Sequence, residues 1–398
     1  MKNYKYLIIG GGMTADAAAK GIRASDPEGS IGLISMESDP PYDRPPLSKG
    51  LWKGKSLDSI WRKTESKHVE LHLGRKIVSL DPDRYSARDD QGQEYHAEKI
   101  LLATGGTPRH LPFGGEEIIY YRTLDDYRRL SKMSALSQNF AIIGGGFIGA
   151  EVAAALAMNG KKVTMLFPED GIGARMYPHD ISQFLNEYFR KQGVEVLTGE
   201  EVTYFSTHRG KHVLKTRSKR EVEAEGVIAG IGIEPNLELA KAAGLKVAKG
   251  ITVDKYLTTS HPNIYAAGDV AEFYNPALHK RLRVEHEDNA NRMGRQAGRN
   301  MAGASEPYHH LPSFYSDLFD VSYEAVGQLD SRLTTAADWA EPFKKGIVYY
   351  LKDGRVRGVL LWNVNDKVSA ARELIAQTGP FDAKDLKAKK GPGWKIAF

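Results

Sequence analysis

Asn139–Glu151 reads NFAIIGGGFIGAE. Phe140–Ile143 is a short apolar run of strand type. Gly144, Gly146 and Gly149 follow in G-x-G-x-x-G spacing, and the small residues of Ala150–Met158 read as helix. A nucleotide pyrophosphate needs that order: a tight turn, a backbone bare enough to approach phosphate, and a helix N-terminus facing negative charge. Lys162–Phe167 reads as the next strand. Glu169 lies just past its end, where a carboxylate can accept from ribose hydroxyls. The pattern occurs a second time upstream: Lys5–Ile9 as strand, Gly10, Gly12 and Ala15 at the three fingerprint positions, Ala15–Ile22 as helix, and Ile31–Met36 as a second strand ending at Glu37. One glycine run would read equally well as a plain turn. Two complete strand–glycine–helix–strand–acid units predict two dinucleotide sites, most simply FAD and a nicotinamide dinucleotide.

The 398 residues suffice for several domains, and an apolar fraction of 41% with 26% charged residues is that of an ordinary globular protein. The net charge of +5 is modest and no basic stripe alternates with aromatics, so nucleic acid is not expected as a ligand. No apolar run is long enough for a transmembrane helix, and Met1-Lys2-Asn3 leads straight into the first strand. A cytoplasmic location without a leader is the expectation. The chain has no cysteine. Electron transfer through a thiol pair or a sulfenate is therefore excluded, and electrons must leave directly from the flavin.

Four prolines make Pro40–Gly50 a stiff loop with a lysine that opens a helix. Arg44 and Lys49 stand just after the first nucleotide unit, which favours cofactor contact over a mere linker. Leu71–Ser79 and Ile100–Ala103 read as strands, the latter ending in the glycine turn ATGGTPR, Ala103–Arg109. Ile181–Gln192 reads as an amphipathic helix, followed by strands Val194–Leu197, Glu200–Phe205, His212–Thr216 and Glu221–Ile228. Asp269 follows the strand Ile264–Ala267 and reads equally as an N-cap or a ribitol acceptor. Val284–Gly303 reads as a helix entered through Glu285, His286 and Glu287. After Pro312 the strands Tyr323–Gln328, Gly346–Leu351 and Val356–Trp362 alternate, with a hairpin turn at Lys352–Arg355 and a helix at Lys367–Gln377. The tail Phe381–Phe398 reads as loosely ordered. The expected domains are 1–113 with 240–312, 114–239, and 313–398.

The motifs GGGMTA, RPPLSK, ATGGTPR, GGGFIGAE, GIGIEPN and AAGD together resemble the pyridine nucleotide–disulfide oxidoreductase superfamily of flavoproteins. Within it, RPPLSKGLW, LFPEDGIGAR, VEHEDNA, FYSDLFDVSYEAVG and YYLKDGRVRGVLLWN are similar to the apoptosis-inducing factor branch, neighbour of the bacterial ferredoxin reductases. The resemblance covers almost the whole chain. It implies an α/β fold with two Rossmann-like, glutathione reductase-like domains, a split one for FAD and an inserted one for NADH, plus a C-terminal α+β domain.

By motif, the resemblance assigns FAD contacts to Gly10, Gly12, Ala15, Glu37, Arg44, Lys49, Ile77 (through its backbone), Arg109, Asp269, His286 and Glu287. It assigns nicotinamide nucleotide contacts to Gly145, Gly146, Phe147, Ile148, Glu169, Arg175, Gly232, Glu285, Tyr315 and Glu324. It places Lys49 and Glu151 as a pair beside the flavin ring and makes Phe147 a ring that covers the flavin and swings away for NADH. A plainly packed phenylalanine is the competing reading. No metal is expected. Tyr315 stands where the close relatives have tryptophan, and Glu287 where they have a second histidine. Neither the leader nor the long C-terminal insertion of the mitochondrial relatives is expected. The implied activity is hydride transfer from NADH C4 to flavin N5, then electron delivery to a small acceptor such as an iron–sulfur protein. A quinone, oxygen, or a role as an NADH-responsive redox sensor stays open, as does a homodimer.

Overall fold

The computed structural model describes residues 1–208, 210–382, 384 and 386. The expected loose tail thus lies almost wholly outside the described residues. No helix among them is long and apolar enough to cross a membrane. The chain divides into two compact units. One comprises Met1–Arg44, Ser56–Thr107 and Glu234–Pro312; the other comprises Pro45–Lys55, Pro108–Ile233 and the described residues from Ser313.

The first unit is built on β1 (Lys2–Ile9), α1 (Met13–Ser25), β2 (Ile31–Ile34), β3 (Val69–His72), β4 (Ile77–Asp81), β5 (Ser86–Asp89) and β6 (Glu94–Leu102). The sheet runs β3-β2-β1-β6-β5-β4, with strand Ile264–Ala266 also paired to β6. β3, β2, β1, β6 and Ile264–Ala266 are parallel, and β4 and β5 add an antiparallel meander. β2 is apolar throughout and fully buried, as a strand covered on both faces must be. The helix Glu287–Met301 crosses α1 at backbone distance because glycines lie on both sides of the crossing. A β-carbon at Gly294 would fall 2.4 Å from the Thr14 carbonyl oxygen, one at Gly298 2.0 Å from that of Ala18, and one at Gly21 2.1 Å from that of Arg295.

In the second unit β7 (Ile118–Tyr120), β8 (Asn139–Ile143), β9 (Lys162–Phe167), β10 (Val194–Thr198) and β11 (Gly226–Ala229) form a parallel sheet in the order β10-β9-β8-β11-β7. Helix α2 (Phe147–Met158) follows β8, and α3 (His179–Lys191) precedes β10. From Ser313 an antiparallel sheet follows: β12 (Ser313–Leu318), β13 (Val321–Gly327), β14 (Thr334–Glu341), β15 (Lys345–Lys352) and β16 (Arg355–Trp362), ordered β12-β13-β16-β15-β14, with α4 (Val368–Ala376) after it. The β15–β16 hairpin turns through Asp353 and Gly354, both at positive φ, the backbone an Asp-Gly pair tolerates best.

Two expected strands are each divided in two. Leu71–Ser79 breaks into β3 and β4 because the chain turns at Gly74, where the Gly74 N–H donates to the Glu37 carbonyl and the Arg75 N–H to that of Ser35. Glu221–Ile228 breaks at Glu225, whose carboxylate accepts from the backbone N–H groups of Gln138 (2.8 Å) and Asn139 (2.9 Å). Glu221–Ala224 then pairs in a separate three-stranded ribbon, while β11 joins the parallel sheet. The helix expected over 284–303 starts at Glu287, with His286 as its N-cap. The stiff loop is two short 3-10 turns, Pro45–Ser48 and Gly50–Lys53, flanking Lys49. It packs with the second unit because the Tyr121 hydroxyl (2.5 Å) and the Trp52 indole N–H (2.8 Å) both donate to the Leu47 carbonyl, and Asn159 donates to that of Trp52 (3.1 Å).

Candidate functional site

In the first unit the turn after β1 carries Gly10 at φ 126°. A β-carbon there would fall 2.1 Å from the Ala103 carbonyl oxygen, so the position accepts only glycine. Gly12 is the N-cap of α1, has no side-chain cap, and has no atom within 4 Å of where its β-carbon would be. An uncapped helix start behind open space is a cradle for phosphate. Ala15, at the third position, is fully buried. Past β2, the Glu37 carboxylate pairs with Arg44 at 2.5 Å and accepts from the Tyr42 hydroxyl at 2.6 Å, while the Arg44 guanidinium lies 5.2 Å from the Tyr42 ring centre. Ile77 opens β4 just beyond the turn that returns beside Glu37.

Asp269 lies in the turn Gly268–Val270 after strand Ile264–Ala266, and the Arg283 guanidinium donates to its backbone carbonyl (3.0 Å). Glu285 is exposed and paired with Arg283 at 2.6 Å. His286 caps and Glu287 begins the helix that crosses α1, so the crossing fixes their place relative to α1. Removal from water lowers the His286 imidazole to about 4, against the carboxylates of Asp269 and Asp288. His286 is therefore neutral at pH 7. A neutral native histidine that charges when unfolded contributes stability above about pH 6.5, and that contribution is lost as pH falls from about 6.5 to about 4. Buried Asp16, lowered to about 2 against burial by Lys20, Arg62 and Thr64, loses its contribution only below about 3.8. Melting curves of wild type and His286→Gln should thus diverge in slope between pH 4 and 6.5 and run parallel above; equal slopes in that window would contradict the assignment.

In the second unit Gly144 (φ 117°) lies under the Gly230 carbonyl, and a β-carbon at Gly149 would fall 2.0 Å from the Gly144 oxygen. Gly146 caps α2 without a side-chain partner, and Phe147 and the partly exposed Ile148 begin the helix. Phe147 is half-buried, edge-on to Phe314 with ring centres 5.3 Å apart. One turn on, Glu151 is 4% exposed. One of its oxygens takes the Lys49 ammonium (2.7 Å) and the Ser48 hydroxyl (2.5 Å); the other takes the Ser316 hydroxyl (2.5 Å). Lys49 is 12% exposed and its Nζ lies 5.2 Å from the Tyr315 ring centre. Tyr315 of β12 faces Glu324 of β13 across the ladder. Burial, then Asp366, raises the Glu324 carboxyl against Arg372. Beyond β9, Glu169 pairs with Arg175 at 2.6 Å. The Arg109 N–H donates to the carbonyl of Gly232, itself at φ 97°.

The structure therefore joins Glu37 with Arg44, Lys49 with Glu151 and Tyr315, Glu169 with Arg175, and Arg109 with Gly232. Among the expected FAD contacts, Lys49 and Arg109 belong to the second unit; among the expected nicotinamide contacts, Glu285 belongs to the first. Sequence reading missed Tyr42 on Glu37, and Ser48 and Ser316 on Glu151. Ser48 lay in plain view beside Lys49, but nothing local marks Ser316. Two uncapped helix starts behind glycine turns, each with a carboxylate past the following strand, fit two dinucleotides.

Such a pair of units defines a two-dinucleotide oxidoreductase. The chain belongs to the pyridine nucleotide-disulphide oxidoreductase family, whose model matches residues 4–294, and the model of the apoptosis-inducing factor C-terminal domain matches residues 297–342 and 336–377. Members of the family bind FAD and NAD(P)H. The chain is 32% identical to monodehydroascorbate reductase 3 of Arabidopsis thaliana over 435 residues, covering 100% of this chain and 98% of that protein. It is 31% identical to the ferredoxin–NAD(+) reductase component of the anthranilate 1,2-dioxygenase system of Burkholderia cepacia, covering 96% of each. Among solved structures it is similar to the covalent putidaredoxin reductase–putidaredoxin complex, with TM-score 0.88, 29% identity and 94% of each chain covered.

Proposed function

We propose that the chain is an FAD-dependent NADH oxidoreductase of the cytoplasm that delivers electrons directly to a small iron–sulfur protein of ferredoxin type. In this reading Lys49, Glu151 and Phe147 are its catalytic residues. We assign 1–113 with 240–312 to FAD, 114–239 to NADH, and the part from 313 to a C-terminal α+β domain. The observation that carries the reading is the buried Lys49–Glu151 pair in a chain without cysteine. FAD, held by the first unit's residues, would supply the redox chemistry. Lys49 offers a positive charge in a poorly solvated place, where it favours negative charge on a neighbouring ring. Ser48 and Ser316 grip both oxygens of Glu151, so the carboxylate that holds Lys49 cannot rotate away. In this reading the Phe147 ring, at the start of α2 and edge-on to Phe314, covers the flavin and swings away for the nicotinamide. Glu169 accepts from the adenosine ribose, and without thiols no internal relay competes with direct release.

The apoptosis-inducing factor C-terminal match favours a second reading, an NADH-responsive sensor that holds its reduced state. The monodehydroascorbate reductase likeness adds organic radicals to quinones and oxygen as other acceptors. Stopped-flow reduction of the holoprotein by NADH, followed by mixing with a [2Fe–2S] ferredoxin, a quinone, oxygen or an organic radical, separates these. Fast reduction and fastest reoxidation by the ferredoxin are expected. Slow reduction, with a reduced flavin–nucleotide complex that outlasts every acceptor, would make the protein a sensor.

A further inference from the structure

The carboxylate past β9 does not stand alone. Glu169, Asp170 and Arg175 line one side of a cavity of about 560 Å³, and its other side is the turn after β13, with Asp330, Ser331 and Arg332. The two sides are tied by backbone: the Ser331 N–H donates to the Arg175 carbonyl at 3.2 Å. Each side carries one arginine locked on one carboxylate. Arg175 holds Glu169 at 2.6 Å, and Arg332 forks onto Asp330 with Nε–Oδ1 at 2.9 Å and Nη2–Oδ2 at 2.7 Å. Both arginine side chains are 86% exposed, whereas Glu169 is 26% and Asp330 16% exposed. The carboxylates are the more buried partners and the guanidinium groups face solvent. Three carboxylates against two guanidinium groups leave the cavity with a formal charge of −1.

We propose that the turn 329–332 is the second wall of the adenosine pocket, and that Asp330 and Arg332 select at the nucleotide's ribose 2′ position together with Glu169 and Arg175. This rests on the assignment of Glu169 to the adenosine ribose. A guanidinium bound by its own carboxylate through two parallel hydrogen bonds has its charge offset and two of its five donors occupied, so it attracts a phosphate less than a guanidinium without a carboxylate partner. Asp330 thereby does twice what one acid does: it adds negative charge to the pocket and occupies the cation that would welcome a 2′-phosphate. Such a device lets the C-terminal domain, and not the nucleotide fold alone, set which nicotinamide dinucleotide binds.

The test is calorimetric binding of NAD⁺ and NADP⁺ to the holoprotein and to four variants. Asp330→Asn releases Arg332 and should narrow the ratio of the two dissociation constants by about tenfold, chiefly by tightening NADP⁺. A factor of that size is about 1.4 kcal/mol. Arg332→Ala leaves Asp330 uncompensated and should widen the ratio with NAD⁺ unchanged. Arg332→Lys, which keeps charge but not the fork, should fall between wild type and Arg332→Ala. The differences should shrink in high salt, since both cations are exposed. Ratios within twofold of wild type for Asp330→Asn and Arg332→Ala, with Glu169→Ala narrowing the ratio, would overturn the proposal and leave the assignment of Glu169 standing. A Glu169→Ala ratio that also stays unchanged would overturn both.

Discussion

Glu151→Ala is expected to cost about 3–5 kcal/mol of unfolding free energy, the usual result of removing one partner from a buried ion pair. It should also lower the flavin midpoint potential, because the charge that favours the reduced ring is no longer held in place. Lys49→Ala should cost less stability, and the reason is geometric. Without Lys49, the Glu151 carboxylate still accepts from the Ser48 and Ser316 hydroxyls, each at 2.5 Å. Without Glu151, the Lys49 ammonium keeps the face of Tyr315, 5.2 Å from the ring centre. A carboxylate with two donors is better satisfied than an ammonium over a ring. The double variant should fall short of the sum of the singles, since deleting both charges leaves neither stranded. Denaturant titration of the holoprotein with redox titration of each variant checks this. Strict additivity would mean that the pair does not form in solution.

The other large effect concerns the nucleotide. Wild type is expected to prefer NADH over NADPH by at least about tenfold in kcat/KM. Two like unit charges about 4 Å apart repel by roughly 4 kcal/mol at an effective dielectric near 20, and screening and side-chain movement reduce this. Arg175 does not cancel the preference, because its charge is offset by Glu169 at 2.6 Å. Its role changes when its partner goes. Glu169→Ala should turn Arg175 toward the 2′-phosphate and remove most of the preference for NADH, while Glu169→Ala with Arg175→Ala should keep the part of the discrimination that Asp330 sets. Flavin reduction rates with both nucleotides measure this. A wild-type protein reduced equally well by NADPH would remove Glu169 from its assigned role.

What could be read from the chain was what is local. Each glycine turn lies between its own strand and helix within about a dozen residues, and Glu37 and Glu169 follow the next strand, so both cradles were visible before any fold was known. The Asp353-Gly354 hairpin was legible for the same reason. Long-range pairing was not. Ser316 reaches Glu151 across 165 positions, and the Tyr121 hydroxyl reaches the Leu47 carbonyl across 74. No periodicity encodes such contacts. Segment 45–55 follows the first nucleotide unit in sequence, yet these hydrogen bonds attach it to the second. The splitting of Glu221–Ile228 was hidden too, since Glu225 continues the alternation begun at Glu221 and Val222, although its carboxylate accepts from two backbone N–H groups elsewhere. β12 and β14 were missed because the apolar residues of Ser313–Leu318 and Thr334–Glu341 stand mostly in adjacent pairs and do not alternate.

The glycine-lined crossing of α1 with Glu287–Met301 bears on how the protein can be re-engineered. With Gly294 against Thr14 and Gly298 against Ala18, main chain rests on main chain, and the Ala17 methyl, too short to act as an adjustable spacer, is the side chain nearest Gly294. The start of the second helix is thereby gauged from the backbone of the first. A library varying 285–287 would sample new chemistry at a fixed place relative to α1. A library varying 294 or 298 would do the opposite, keeping the chemistry and moving the place, and most of its members would wedge the two helices apart.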